Sequence, residues 1–160
     1  MTLLSDQPIG TDDDIPRAAL VLGWAGVVPF AAGALALWFT AAAGGWVVVP
    51  LLAYGAAILA FLGGVRWALA FRVRPEDAQA RELAISAIPS LVAWLAVAMH
   101  HRPLIALALL AIAHGTQGYA DVTGIQGIGA PAWYARLRLH LSIAAVVALI
   151  VALGALIWAR

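Results

Sequence analysis

Apolar residues come in five long runs, residues 18–39, 48–71, 83–99, 104–120 and 139–159, and all but one of the charged side chains fall between or outside them. An α-helix rises about 1.5 Å per residue, so about 17–25 apolar residues cross a hydrocarbon core about 30 Å thick. Each run therefore predicts a transmembrane helix. The expected fold is all-α: a polytopic membrane protein built as a bundle of five transmembrane helices. The breaks carry their own signals. Gly44-Gly45 closes the first turn, with Trp46 at interfacial level. Pro75 with Glu76 and Asp77 marks the start of the third helix, since proline and acids favour a first turn. His100-His101-Arg102-Pro103 ends that helix. Gly124, Gly127 and Gly129 mark a pliable fourth loop, after which Pro131 restarts the chain. A fifth helix running to Ala159 would span about 43 Å, so its first turns, with Trp133, Tyr134, Arg136 and Arg138, belong at the interface.

Composition changes the picture only by exclusion. With 64% hydrophobic and 11% charged residues, the chain carries more apolar surface than a water-soluble domain of this size can bury. The absence of cysteine removes disulfides, thiolate catalysis and iron–sulfur ligation. Residues 1–15 are polar and acidic and read as a mobile arm, not a cleaved export signal, and residues 16–160 form the membrane domain. Asp14 and Pro16 suit a helix start.

All nine fixed positive charges are arginines. With the N-terminus cytoplasmic, Arg17, Arg72, Arg74, Arg81, Arg136 and Arg138 lie inside, and only Arg102 and Arg160 lie outside. Six against two over short loops predicts N-terminus in and C-terminus out. Arg72, Arg74, Arg81, Arg136 and Arg138 are then candidate contacts for anionic lipid headgroups.

The one charge inside a run is Arg66, and two readings stay open for it. Its guanidinium snorkels to the lipid phosphates, or it forms an ion pair with Asp121 at the end of the fourth span, where Arg136 and Arg138 are rival partners. Such a pair would fix helix register sooner than perform catalysis. His114, Gln117, Gly118 and Asp121 recur at i, i+3, i+4 and i+7 and share one helical face. That stripe is a polar seam between helices, a proton path, or a hydrogen-bonding wall for a headgroup such as a quinone's. Ala56, Ala60 and Gly64 form a small-residue ridge on the second span, with Gly55 and Gly63 nearer the Arg66 side. Pro89 removes a backbone donor and predicts a kink that frees the carbonyl of Ile85. His100-His101 supplies too few ligands for a metal, and His114 with His140 differ in depth, which disfavours haem. No catalytic triad, HExxH or paired catalytic acids occur, and neither a cofactor nor a nucleic-acid partner is expected.

Gly23-Trp24-Ala25-Gly26-Val27-Val28-Pro29-Phe30, the run from Ala53 to Trp67 ending in Gly-Gly-Val-Arg-Trp, Ile88-Pro89-Ser90-Leu91-Val92-Ala93-Trp94, and Pro131-Ala132-Trp133-Tyr134-Ala135-Arg136-Leu137-Arg138 together resemble the small multipass family called domain of unknown function 3429. The Gly-Gly-Val-Arg-Trp element is the most specific part. The resemblance implies a five-span protein of bacterial inner membranes with mitochondrial relatives, and no established activity. The leading expectation is a non-catalytic accessory or assembly subunit of a larger respiratory or photosynthetic membrane complex, whose partners are membrane lipids and other integral membrane proteins or further copies of itself. The alternatives are a small carrier or channel, or a quinone- or lipid-binding protein, using the polar stripe of the fourth helix. An odd number of spans puts the two ends on opposite faces, so reporters fused to residues 1 and 160 should be accessible from opposite compartments. Accessibility from the same side would refute the odd count.

Overall fold

A computed structural model describes residues 14–40, 46–124 and 130–160, and five α-helices account for nearly all of them. They are α1 (Arg17–Thr40), α2 (Val48–Ala70), α3 (Glu76–Ala98), α4 (Pro103–Gly124) and α5 (Ala132–Trp158). All five are long and apolar enough to cross a membrane, and the described residues contain no strand. Helices are the expected solution because a lipid-embedded backbone must satisfy its own amides and carbonyls. Most of the acidic arm, the Gly44-Gly45 turn, and Gly127 and Gly129 lie outside the described residues.

The boundaries follow the local signals with small shifts. Pro16 precedes α1, and its carbonyl accepts from the Leu20 amide at 3.0 Å. Pro75 and Pro131 take extended backbone at the N-caps of α3 and α5. Helix α4 runs three residues beyond Asp121, so the whole polar stripe is helical. Helix α3 continues through Pro89 as one helix.

Connections are short, so helices consecutive in the chain run antiparallel. Helix α2 packs most extensively on α3, α4 on α5, and α1 on α5, while α3–α4 and α1–α2 contacts complete a ring. Helix α2 also reaches across to α4 and closes the centre. Phe30, Leu37, Leu52, Leu59, Leu107, Leu110 and Leu149 fill that centre and are fully buried. Large apolar residues such as Leu22, Phe39, Phe61, Leu91, Trp94 and Ile112 face outward, as a lipid-facing surface requires.

Glycine decides where backbones touch. A Cβ on Gly63 would stand 2.7 Å from the Ser86 carbonyl oxygen and 3.4 Å from Pro89 Cβ, so α2 and α3 cross there. A Cβ on Gly118 would collide with Ser142 and force α4 and α5 apart. At Gly55 it would meet Leu110 at 3.1 Å and Phe30 at 3.4 Å, where α2 meets α4. The small-residue ridge is thereby corrected. Ala56 is buried, but Ala60 is half-buried, and Gly64 is exposed with nothing within 4 Å of its would-be Cβ. The contact face of α2 runs through Gly55, Leu59, Leu62, Gly63 and Arg66, one residue off the ridge.

Gly63→Val should therefore force helices apart and destabilise the bundle by about 1–3 kcal/mol, whereas Gly64→Val should stay within about 0.5 kcal/mol of the parent. Thermal unfolding in detergent checks both.

Candidate functional site: two buried ion pairs and the cavities beside α4

Polar side chains inside the bundle gather at the end where α2 meets α3 and α4 meets α5. Arg66 donates through Nη2 to Glu82 Oε2 at 2.7 Å and through Nε to the same oxygen at 3.2 Å. Both side chains are nearly buried. Arg138 donates through Nε to Asp121 Oδ2 at 2.8 Å, and Gln117 Nε2 donates to Asp121 Oδ1, also at 2.8 Å. Asp121 is 1% exposed and Arg138 7%. Both carboxylate oxygens of Asp121 are thus engaged, as burial of that charge demands.

This corrects two expectations. Asp121 pairs with Arg138, not Arg66, and Arg66 neither snorkels nor bonds Asp121. Each arginine instead takes the acid of its own hairpin. The partners are separated by 16 residues across the α2–α3 turn and by 17 across the α4–α5 turn. Equal depth on both arms of an antiparallel hairpin follows from near-equal residue counts on either side of its turn. Glu82 was missed because it stands one residue before the third apolar run and reads as part of its solvated start. Counting outward from residue 74 places it level with Arg66. Arg138, expected at lipid headgroups, is buried in its pair, while Arg72, Arg74, Arg81 and Arg136 are exposed. The two pairs adjoin, since Arg66 Nη2 lies 3.7 Å from the place a Cβ of Gly124 would take.

The stripe on α4 faces protein along its length. His114, Gln117, Gly118 and Asp121 are all buried. The His114 ring stands edge-on to Phe30, 5.4 Å between centroids, and its Nδ1 lies 2.9 Å from the Leu110 carbonyl. Phe30 in turn meets Tyr54 edge-on, and the Tyr54 hydroxyl donates to the Gly26 carbonyl at 2.8 Å, which ties α1 to α2. Two of the cavities beside α4 have its buried polar residues in their walls. One of about 180 Å³ lies towards α3, with Arg66, Pro89, Thr116 and Gln117 in its wall. The other, of about 150 Å³, lies towards α1 and includes His114 and Arg138. Among the described residues, His114 Nε2, Arg138 Nη2 and Ser142 Oγ are buried with no hydrogen-bond partner. Each such atom costs about 1–3 kcal/mol if left dry. No group of three or more His, Asp or Glu that could hold a metal occurs among the described residues.

Residues 15–154 match the family described as Protein of unknown function (DUF3429). The chain belongs to this family. Among curated relatives it is 36% identical over 141 residues to transmembrane protein 69 of Xenopus tropicalis, covering 86% of this chain and 54% of that one. It is 32% identical over 144 residues to transmembrane protein 69 of Mus musculus, covering 88% and 57% respectively. The chain thus spans little more than half the length of these curated relatives. No solved structure matches it significantly. Both relatives are named as transmembrane proteins, in keeping with the five spanning helices, and the protein is a multi-pass membrane protein.

Removing one partner of the Asp121–Arg138 pair should be severe. Asp121→Ala leaves a buried, uncompensated guanidinium and should destabilise by about 3–5 kcal/mol, while Asp121→Leu combined with Arg138→Met should recover most of the loss. Unfolding midpoints of the single and double variants in one detergent check this. A double variant as unstable as the single would show that the pair is not what holds the hairpin.

Proposed function

We propose that this protein is a non-catalytic integral membrane protein of the bacterial cytoplasmic membrane that serves as an accessory or assembly subunit of a larger, respiratory or photosynthetic membrane complex. The observation supporting it is how the polar and small residues are divided. Arg66, Glu82, Gln117, Asp121 and Arg138 face one another and hold the bundle together. The small residues that do no work inside the bundle lie outside instead. Ala60, Gly64, Ala87 and Ser90 line a shallow groove of about 350 Å³ between α2 and α3, with Trp67 and Leu91 at its sides. A groove of small side chains at hydrocarbon depth lets another helix backbone approach closely, which is how membrane helices associate in the absence of a hydrophobic drive. The partner proposed for it is a transmembrane helix of another integral membrane protein.

Orientation belongs to the same proposal. The N-terminus is cytoplasmic and the C-terminus external, so that the exposed Arg72, Arg74, Arg81 and Arg136 meet anionic lipid headgroups, each contributing about 1 kcal/mol of attraction near the surface.

Gly64→Leu puts a side chain into the groove from a position whose Cβ has nothing within 4 Å, so it enters without a backbone clash. Purification in mild detergent followed by native mass spectrometry should show the wild-type protein with a partner membrane protein and Gly64→Leu without it, at unchanged unfolding midpoint. Wild-type protein recovered as a lone protomer would count against the proposal.

A further inference from the structure

The cavity towards α3 runs lengthwise beside three helices. Its wall extends from Leu59 to Arg66 on α2, from Ile85 to Val92 on α3 and from Ala113 to Ala120 on α4, in each case about 10 Å of helical rise. Arg66, Ile85 and Ala120 mark the ion-paired end, one turn from the exposed Arg81. Leu59, Val92 and Ala113 mark the other end, near the middle of their helices' apolar runs. Beyond it Leu107 and Leu110 are fully buried and close the bundle.

Two polar atoms of residues in this wall lack a partner and are open to water. Arg66 donates to Glu82 through Nε and Nη2, while Nη1 bonds nothing among the described residues. Gln117 donates to Asp121 through Nε2, and nothing there donates to its Oε1. Arg66 is 8% exposed and Gln117 7%, yet neither atom is sealed in the way that His114 Nε2, Arg138 Nη2 and Ser142 Oγ are. A water molecule reaches Nη1 and Oε1 where it cannot reach those three. Both residues line the cavity towards α3 and neither lines the one towards α1. Nη1 only donates and Oε1 only accepts, so each can take a water of its own, and no single ligand atom has to meet both.

The surroundings favour the same occupant. Pro89 has no amide to give the Ile85 carbonyl, and both residues are in the wall. Thr116 donates to the Ala113 carbonyl at 3.1 Å and keeps lone pairs to accept with. About 180 Å³ is room for several waters, since one needs about 10–15 Å³. Ile88 and Thr116 stand exposed beside the cavity, where α3 and α4 pack less extensively than the two helices of either hairpin.

We propose that this cavity is a blind, water-filled recess: water enters from the arginine-bearing end along the α3–α4 seam, hydrates Arg66 Nη1 and Gln117 Oε1, and stops at Leu59, Val92 and Ala113. The protein thus admits water and small polar solutes about 10 Å into the bundle and passes none across. The docking groove, with Ala87, Ser90 and Leu91, involves other residues of α3, so the recess stands or falls without it.

The chain contains no cysteine, so single cysteines report on it cleanly. The probe is sulfonatoethyl methanethiosulfonate, which is charged, does not cross lipid and reacts with a thiolate, a form that needs water around it. Val92→Cys and Ala113→Cys sit at the closed end of the recess, and Ile112→Cys, beside the second of them but 65% exposed on the outer surface, is the lipid-facing control. In sealed vesicles of known orientation, Val92→Cys and Ala113→Cys should react at least tenfold faster than Ile112→Cys, and only from the side that carries Arg72, Arg74 and Arg81. Unfolding midpoints identify a variant that fails to fold, and the other then decides. Rates no faster than that of Ile112→Cys would overturn the proposal and give the cavity to acyl chains. Equal labelling from both sides would overturn it in the other direction, as a path that crosses the bundle.

Discussion

Two arginine–carboxylate pairs set the terms on which these helices come together. An arginine at the centre of a membrane helix costs roughly 2.5–3.5 kcal/mol on insertion scales, and a buried acid is no cheaper. Arg66 with Glu82 and Arg138 with Asp121 turn those liabilities into two short contacts. Sliding one helix of a hairpin by a single residue shifts it by about 1.5 Å, enough to break a 2.7–2.8 Å contact and expose both charges to hydrocarbon. The pairs therefore act as registration marks between α2 and α3 and between α4 and α5.

Packing deeper in each hairpin repeats the same arrangement. Gly63 sits against Ser86 about one turn from Arg66, and Gly118 sits against Ser142 about one turn from Asp121. With no side chain on the glycine the backbones close up, which brings the charged partners within hydrogen-bond reach of each other. Register and closeness support one another. In lipid, where apolar surface gains little by leaving one apolar medium for another, such van der Waals and polar contacts are the main sources of helix association.

Helix α4 connects the two hairpins. Its apolar face meets α2 at Gly55 through Leu110, and its polar face supplies Asp121 and Gln117 to α5. His114 stands between these roles, its ring packed on Phe30 and one nitrogen turned onto its own helix. That position beside a cavity makes it the polar residue least accounted for by helix packing. The exterior is divided too: arginines crowd the loops at the ion-paired end, while Gly64 leaves an open notch in the lipid-facing surface of α2 and α3.

The number of helices, their approximate limits and their transmembrane character were legible in the chain, because run length and polarity alone decide them. Pro75 and Pro131 marked helix starts that local backbone geometry requires. The α4 stripe was legible as a shared face because helical period is a property of one segment. Partner choice was not. Asp121 had three arginines within plausible depth, and only the antiparallel pairing of α4 with α5 brings Arg138 to it. Glu82 looked solvated until α3 folded back beside α2. Nor does spacing along one helix tell which of two adjacent small-residue rows meets a neighbour: Gly63 packs and Gly64 stays bare because the rotation of α2 about its axis is set by the helices around it. Local covalent and helical constraints act within a segment, whereas depth matching, rotation and charge pairing arise between segments, so they exist only once the bundle has closed.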